Sequence, residues 1–272
     1  MGRPLTDDWR DWLRLNRDRG CDRALLYRQA ADEGFDPTAI ALELGTPELV
    51  LQPAAAGVAF WQAMVRVPLT TPGHCPRACR FDTDRAQIYA IPDLLSPDEC
   101  IAVMAAIDAA LEPSTVTNGP SDYRTSRTCH LVAADAALAD ALDARFAALI
   151  GVDPALAEPL QGQRYDQGQY FKAHTDWFAP GTPEFEQHTR PGGQRTWTLM
   201  VYLNTVEAGG ETVFERLGQR VTPKAGLALA WNNLHADGSP NHATLHEAMP
   251  VAQGVKYVIT KWFRAEPGRL GF

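Results

Sequence analysis

The 272-residue chain has few cysteines, no surplus of positive charge and no long apolar segment. Its five cysteines form an odd, scattered set, which is typical of reduced thiols in a cytoplasm rather than of a disulfide framework. The formal net charge of −8 disfavours a protein that binds nucleic acid or an anionic membrane, because both partners require a basic surface. We therefore expect neither kind of partner.

Apolar runs in the chain all fall well short of the ~20 residues that a membrane-spanning helix needs. The first twelve residues, MGRPLTDDWRDW, contain no apolar stretch of the kind found in a signal peptide. These features predict a cytoplasmic protein. A hydrophobic content of 45% is enough for one substantial core, or for one core with a small accessory unit.

Residues 1–46 predict a helical N-terminal region, because apolar residues recur at helical spacing between glycines. Asp36-Pro37 is the expected start of a third helix, which ends at Gly45. The charges of this region nearly balance, which disfavours a DNA-binding helix-turn-helix. Docking, dimerisation and simple packing remain alternative roles for it. Residues 47–85 are rich in proline and alanine, and their apolar residues show only weak periodicity. This composition predicts a connector.

Residues 86–272 predict the main domain. Ser96 and Glu99 have the spacing of a capping box at the start of a helix, and a second amphipathic helix ends at Gly151. From about residue 160 onward, short strands and turns dominate. Helices followed by many short strands indicate an α+β fold with a β-sandwich or barrel core.

His174-Thr-Asp176 is the first candidate for a chemical site. Residues two apart on a strand point to the same side, so both side chains can reach one ion. Alone, the pair could equally lie on a solvated strand face. A second histidine would complete the set of two imidazoles and one carboxylate that holds non-haem Fe(II) and leaves coordination positions open. His246, beside apolar residues, is favoured over His242, which follows a turn-rich Ser-Pro-Asn segment.

Lys256, ten residues after His246, begins an alternating strand that runs to Trp262. Strand alternation places Lys256 on a face with apolar residues and Lys261 on the opposite face. Such a lysine either extends to solvent or binds an anion. Beside a triad of iron ligands, a dicarboxylate cosubstrate is favoured. Tyr165 and Thr198 could add hydroxyl donors.

Several ordered motifs resemble the prolyl 4-hydroxylase family of Fe(II)/2-oxoglutarate-dependent dioxygenases. They are RYDQGQYFKAHTD (164–176), YLN (202–204), GGETVF (209–214), VTPKAG (221–226) and the segment from Leu245 to Trp262. The resemblance covers roughly residues 86–265 and implies a double-stranded β-helix (jelly-roll) core with flanking helices. It implies iron binding by His174, Asp176 and His246, and binding of the distal carboxylate of 2-oxoglutarate by Lys256, supported by Tyr165 and Thr198. Glu247 departs from the small residue that is more usual in the family after the distal histidine.

The activity implied by this resemblance is hydroxylation of an aliphatic C–H bond, with Fe(II), 2-oxoglutarate and O2 as cofactors and ascorbate as a reductant. A prolyl or other amino-acid residue in a peptide or protein is the expected substrate. A free amino acid, a natural-product intermediate, and a sensor that binds iron and 2-oxoglutarate without turnover are the alternatives. Residues 178–195 are expected to form a loop beside the metal. The candidate substrate contacts are Arg124, Trp177, Arg195 and Trp262.

Overall fold

The computed structural model describes residues 3–21, 23–46, 58–71, 73–114, 123–190 and 192–266. The chain divides into two compact units, Met1–Val58 and Ala59–Phe272. Residues 47–57 and 72 of the predicted connector lie outside the described residues. Within the described ranges, no helix has the length and apolar character needed to cross a bilayer.

Within residues 3–21 and 23–46, the first unit contains three helices, α1 (Asp7–Asp18), α2 (Arg23–Asp32) and α3 (Pro37–Leu44). Helix α3 begins and ends where the sequence predicts. The Asp36 carboxylate accepts a hydrogen bond from the Ala39 backbone, and Gly45 ends the helix with the left-handed φ of 65° that glycine adopts without strain. The unit has a hydrophobic core of its own, which includes Leu13, Phe35 and Ile40.

The remaining helices among the described residues are α4 (Val58–Met64), α5 (Pro97–Ala109), α6 (Leu131–Ala134), α7 (Ala136–Ile150) and α8 (Pro183–Thr189). The predicted capping box at the start of α5 is confirmed. The Ser96 hydroxyl accepts from the Glu99 backbone, and the Glu99 carboxylate accepts from the Ser96 backbone.

The strands in the described part of the second unit form two main antiparallel sheets and a short pair. The strands are β1 (Cys79–Arg80), β2 (Ile88–Ile91), β3 (Glu112–Pro113), β4 (Arg127–His130), β5 (Gln161–Tyr165), β6 (Phe171–His174), β7 (Arg195–Tyr202), β8 (Ala208–Gly209), β9 (Thr212–Phe214), β10 (Gln219–Val221), β11 (Ala228–Asn232), β12 (His246–Ala248), β13 (Val251–Gln253) and β14 (Lys256–Arg264). The large sheet has the order β1-β2-β11-β7-β14-β5-β4-β3, and the small sheet has the order β10-β9-β12-β6. Strands β13 and β8 form the pair.

Strand β7 shows how the layers are built. Its residues Trp197, Leu199 and Val201 pack into the core shared with helices α5 and α7. The alternate residues Met200 and Tyr202 face the other way, into a core shared with the small sheet. Burial of each large apolar side chain contributes roughly 1.5–3 kcal/mol, so both faces stabilise the sheet. The expected α+β jelly-roll with flanking helices is confirmed, and the candidate site lies between the two sheets.

Candidate active site

Three potential metal ligands converge at the inner face of the small sheet. Strands β6 and β12 are neighbours there, and His174 is directly opposite His246 in the register. Strand β6 ends at His174, so Asp176 lies in a bend just beyond it rather than on a continuous strand. One ligand atom from each of His174, Asp176 and His246 lies within 4.8 Å of the others. The chain thus brings together the three residues that the sequence selected.

Both imidazoles are oriented by backbone carbonyl groups. Nδ1 of His174 lies 2.8 Å from the Lys172 carbonyl oxygen, and Nδ1 of His246 lies 2.9 Å from the Thr244 carbonyl oxygen. A carbonyl oxygen only accepts, so each Nδ1 carries the proton and donates it. Each Nε2 then has a free lone pair, which is the arrangement that metal-binding histidines commonly use.

Aromatic rings surround the two histidines. The Phe171 ring stacks on His174 with the centroids 3.6 Å apart, and Trp231 meets His246 edge-on at 4.9 Å. Burial, followed by the nearby His246, lowers the pKa of His174 well below its ordinary value. The His174 imidazole is therefore neutral at pH 7, as a metal ligand must be.

Asp176 is buried, and its carboxylate receives a hydrogen bond from a strand of the opposite sheet. The Thr198 hydroxyl on β7 donates to Asp176 Oδ2 at 2.7 Å. Thr198 was predicted to support the cosubstrate. The structure instead places its hydroxyl on the carboxylate of a candidate metal ligand.

Lys256 is fully buried and lines the same pocket as the triad. Within the described part of the chain, no hydrogen bond or ion pair reaches its ammonium group, which lies 5.0 and 5.6 Å from the ring centroids of Tyr165 and Tyr202. Burial lowers the pKa of Lys256 to about 7, and the Glu211 carboxylate only partly opposes this effect. A buried cation without an anion is costly, so the pocket favours an anionic ligand.

The alternation of side chains along the strand correctly predicted that Lys256 and Lys261 lie on opposite faces. The Lys261 side chain projects from the opposite face of β14, and its ammonium group forms an ion pair of 2.7 Å with Asp143 on helix α7. His242 lies in a 3-10 turn, His242–Thr244, where its ring contacts Trp177. The set of metal-ligating groups found among the described residues contains His246 and not His242.

Two hydroxyl groups lie near Lys256. Tyr165, a predicted contact, lines the pocket, and its hydroxyl donates to the Gln163 side-chain oxygen at 2.8 Å. Thr212 also lines the pocket but was not singled out from the sequence. Its hydroxyl oxygen accepts from Tyr202 at 2.6 Å, so its own proton remains available to a ligand. The sequence could have pointed to Thr212, because this residue lies inside the motif from Gly209 to Phe214 that resembles the family.

The four candidate substrate contacts divide into two pairs. Arg124 and Trp262 line the pocket. Trp177 is buried and donates through its indole nitrogen to the Asn241 carbonyl oxygen. Arg195 forms two hydrogen bonds, of 2.6 and 2.8 Å, with the Glu158 carboxylate, and its guanidinium carbon lies 4.1 Å from the Trp262 ring centroid. Arg195 thus supports a pocket residue, with its charge already paired.

The segment between Asp176 and β7 contains the short helix α8 and is tied at its two ends. The Gln194 side chain accepts from the Phe178 backbone nitrogen at 2.8 Å and donates to the Phe178 carbonyl oxygen at 2.7 Å. Arg264 donates to the carbonyl oxygens of His188 and Gly193, both at 2.8 Å. These contacts hold the loop against strand β14.

The donor set fits Fe(II) and 2-oxoglutarate. Two imidazoles and one carboxylate suit a non-haem iron that retains open positions. The Lys256 ammonium in the same pocket, which has no ion pair within the described ranges, suits a second, distal carboxylate.

Comparison with known proteins agrees with this arrangement. Residues 160–264 match the model of the 2OG-Fe(II) oxygenase superfamily. The chain is 32% identical to prolyl 4-hydroxylase subunit alpha-1 of Rattus norvegicus over 189 residues, which cover 69% of this chain and 34% of the relative. It is 36% identical to prolyl 4-hydroxylase subunit alpha-3 of Bos taurus over 177 residues, covering 62% of this chain and 32% of the relative. The chain thus spans about a third of the length of these relatives.

Among solved structures, the viral collagen prolyl hydroxylase of Paramecium Bursaria Chlorella virus-1, in its complex with 2OG, shares the fold with a TM-score of 0.50. The two are 24% identical, and the match covers 65% of this chain and 94% of the viral protein. Through residues 160–264, the chain belongs to the 2OG-Fe(II) oxygenase superfamily, and within it the chain is prolyl 4-hydroxylase-like.

Proposed function

We propose that this protein is an Fe(II)- and 2-oxoglutarate-dependent dioxygenase that hydroxylates an aliphatic C–H bond of a prolyl or other amino-acid residue in a peptide or protein. Residues 86–272 form its catalytic domain in this proposal. The observation that carries it is a pocket lined both by His174, Asp176 and His246 and by Lys256, a buried lysine with no anionic partner among the described residues.

Each group in the pocket has a role in the proposed reaction. His174, Asp176 and His246 hold Fe(II), and Lys256 binds the distal carboxylate of 2-oxoglutarate with a hydrogen bond from Thr212. The bound cofactors supply the oxidation, in which 2-oxoglutarate, O2 and R–H become succinate, CO2 and R–OH. The protein orients the reactants and, through the aromatic rings around the histidines, excludes water.

The similarity to prolyl 4-hydroxylase subunits supports a prolyl residue as the substrate. Arg124 and Trp262 are the proposed substrate contacts. Trp262 offers an aromatic surface at the pocket, and the Arg124 guanidinium donates hydrogen bonds to the uncharged side-chain oxygens of Ser126 and Gln161. A peptide carbonyl or carboxylate could therefore bind it.

The test incubates the iron-loaded protein with 2-oxoglutarate and libraries of proline-containing peptides and of free amino acids, and measures succinate and product mass. The expected product is a peptide heavier by one oxygen atom, formed only with iron and 2-oxoglutarate. A product from the free amino acids alone would support the small-molecule alternative. Binding of both cofactors without any oxygenated product would support the sensor.

His174→Ala is the matched control, because it removes one iron ligand and leaves Lys256 in place. Product formation by this variant equal to that of the parent protein would overturn the proposed site. An ascorbate requirement and a cytoplasmic location stay predictions from the sequence.

A further inference from the structure

Two successive hydrogen bonds connect the Asp176 carboxylate to Thr198 and Thr198 to Asn233. The Thr198 hydroxyl lies 2.7 Å from Asp176 Oδ2, and the Asn233 side-chain nitrogen lies 2.9 Å from the same hydroxyl oxygen. Thr198 and Asn233 are fully buried, and Asp176 is nearly so. No bulk solvent therefore competes for these bonds.

The direction of both bonds is fixed by the chemistry of the groups. An amide nitrogen only donates, so Thr198 accepts from Asn233 and its single proton goes to the Asp176 carboxylate. If the Asn233 amide were turned over, its oxygen would accept the Thr198 proton. The Thr198 hydroxyl oxygen and Asp176 Oδ2 would then face each other across 2.7 Å with no proton between them. The orientation with Thr198 as the donor to Asp176 is the one that satisfies the carboxylate.

Asn233 is itself held firmly. Its backbone nitrogen donates to the Thr196 carbonyl oxygen at 2.7 Å, and its carbonyl oxygen accepts from the Asn241 backbone at 2.9 Å. Asp176 is less constrained by its own backbone, because it lies in the bend beyond β6 rather than in a strand ladder. The position of the carboxylate therefore depends on contacts made by its side chain.

We propose that Thr198, backed by Asn233, is a positioning residue that restricts Asp176 to one metal-binding oxygen. The hydrogen bond from the Thr198 hydroxyl weakens Oδ2 as a metal donor, so Oδ1 is the favoured ligand atom in this proposal. A carboxylate that used both oxygens would take a coordination position that the cosubstrate or O2 needs. The inference rests on the proposed function for the identity of the metal site.

The test uses Co(II) as a probe for the metal, because it binds such sites without redox chemistry and reports its coordination by visible absorption. Thr198→Val keeps the side-chain shape and removes the hydroxyl, and Thr198→Ser restores it. The matched control is Thr196→Val on the same strand, whose buried hydroxyl donates only to the Phe263 carbonyl oxygen among the described residues.

For Thr198→Val we expect Co(II) binding to weaken about 10- to 100-fold, the usual effect of removing a group that orients a metal ligand. The Co(II) absorption spectrum should change, and its response to added 2-oxoglutarate should shrink. Thr198→Ser and Thr196→Val should both resemble the parent. A merely structural role for Thr198 would lower the melting temperature in both valine variants without changing the spectrum.

Co(II) affinity and a spectrum equal to those of the parent in Thr198→Val would overturn the inference. If that variant does not fold, Thr198→Ala serves instead, because it removes the same hydroxyl group. We expect the same spectral change there, and an unchanged spectrum is the refuting result. Failure of the parent itself to bind Co(II), or binding that persists in His174→Ala, would refute the proposed function rather than the positioning role.

Discussion

Replacement of Lys256 by methionine should make the cosubstrate-free protein more stable while abolishing 2-oxoglutarate binding. The ammonium is fully buried and forms no ion pair with any residue that the structure describes, and burial lowers the pKa of Lys256 to about 7. Methionine has a similar length and no charge to desolvate. The same residue is thus expected to oppose folding and to promote ligand binding.

The magnitude follows from the pKa of Lys256. A decrease from 10.5 to about 7 corresponds to ~5 kcal/mol of destabilisation at a pH where the lysine is protonated in both the folded and the unfolded state. Between pH 7 and 10.5 the unfolded chain binds the proton more strongly, so the stability of the parent rises with pH. The advantage of Lys256→Met should therefore shrink, to ~3 kcal/mol at pH 8 and ~1 kcal/mol at pH 9.5.

Urea denaturation of the metal-free and cosubstrate-free proteins at pH 6.5, 8 and 9.5 measures this difference, and titration of the Co(II)-loaded proteins with 2-oxoglutarate measures binding. Lys261→Met is the matched control, since Lys261 lies on the same strand and is paired with Asp143. It should be destabilised, because it leaves a partly buried carboxylate without its partner, and it should bind 2-oxoglutarate normally. A Lys256→Met protein less stable than the parent, or an advantage independent of pH, would refute the reasoning.

Three further predictions concern the site and its support. His174→Ala should abolish stoichiometric Co(II) binding in calorimetry, and retention of the parent affinity would exclude this residue as a ligand. Thr212→Val should raise the Kd for 2-oxoglutarate about tenfold, the effect of one lost hydrogen bond to a charged group, and an unchanged Kd would remove Thr212 from the cosubstrate site. Glu158→Gln should lower the free energy of unfolding by roughly 3–5 kcal/mol, because it leaves the guanidinium groups of the partly buried Arg195 and the buried Arg264 without their shared carboxylate. Denaturant unfolding at pH 7 measures this loss, and a change below ~1 kcal/mol would show that the two arginines find other partners.

Patterns among residues close in sequence were sufficient to predict much of the fold and the candidate metal ligands. The capping box at Ser96 and the glycine stop at Gly45 depend on residues close in sequence, and both form as predicted. Period-two alternation put Lys256 and Lys261 on opposite faces, and the two lysines indeed leave β14 toward the pocket and toward helix α7. Such features need only the geometry of a single helix or strand.

The features that escaped prediction depend on contacts between distant segments. Thr198 meets Asp176 across the gap between two sheets, so neither residue's own strand pattern could reveal the pair. Arg195 was expected at the substrate because it ends the loop predicted beside the metal, but a carboxylate 37 positions away, on Glu158, already neutralises it. The exact end of β6 before Asp176 was also missed, because strand boundaries depend on which neighbours complete the ladder.

Gln194 and Phe178 are joined by two hydrogen bonds, which close the segment between them. This segment could therefore be replaced as a unit. Its ends are fastened to each other, so the positions of Asp176 on one side and strand β7 on the other do not depend on what lies between them. Closing a longer loop costs only about 0.6 kcal/mol for each doubling of its length. Residues 179–193 could therefore be replaced by another sequence while the candidate metal ligands keep their positions.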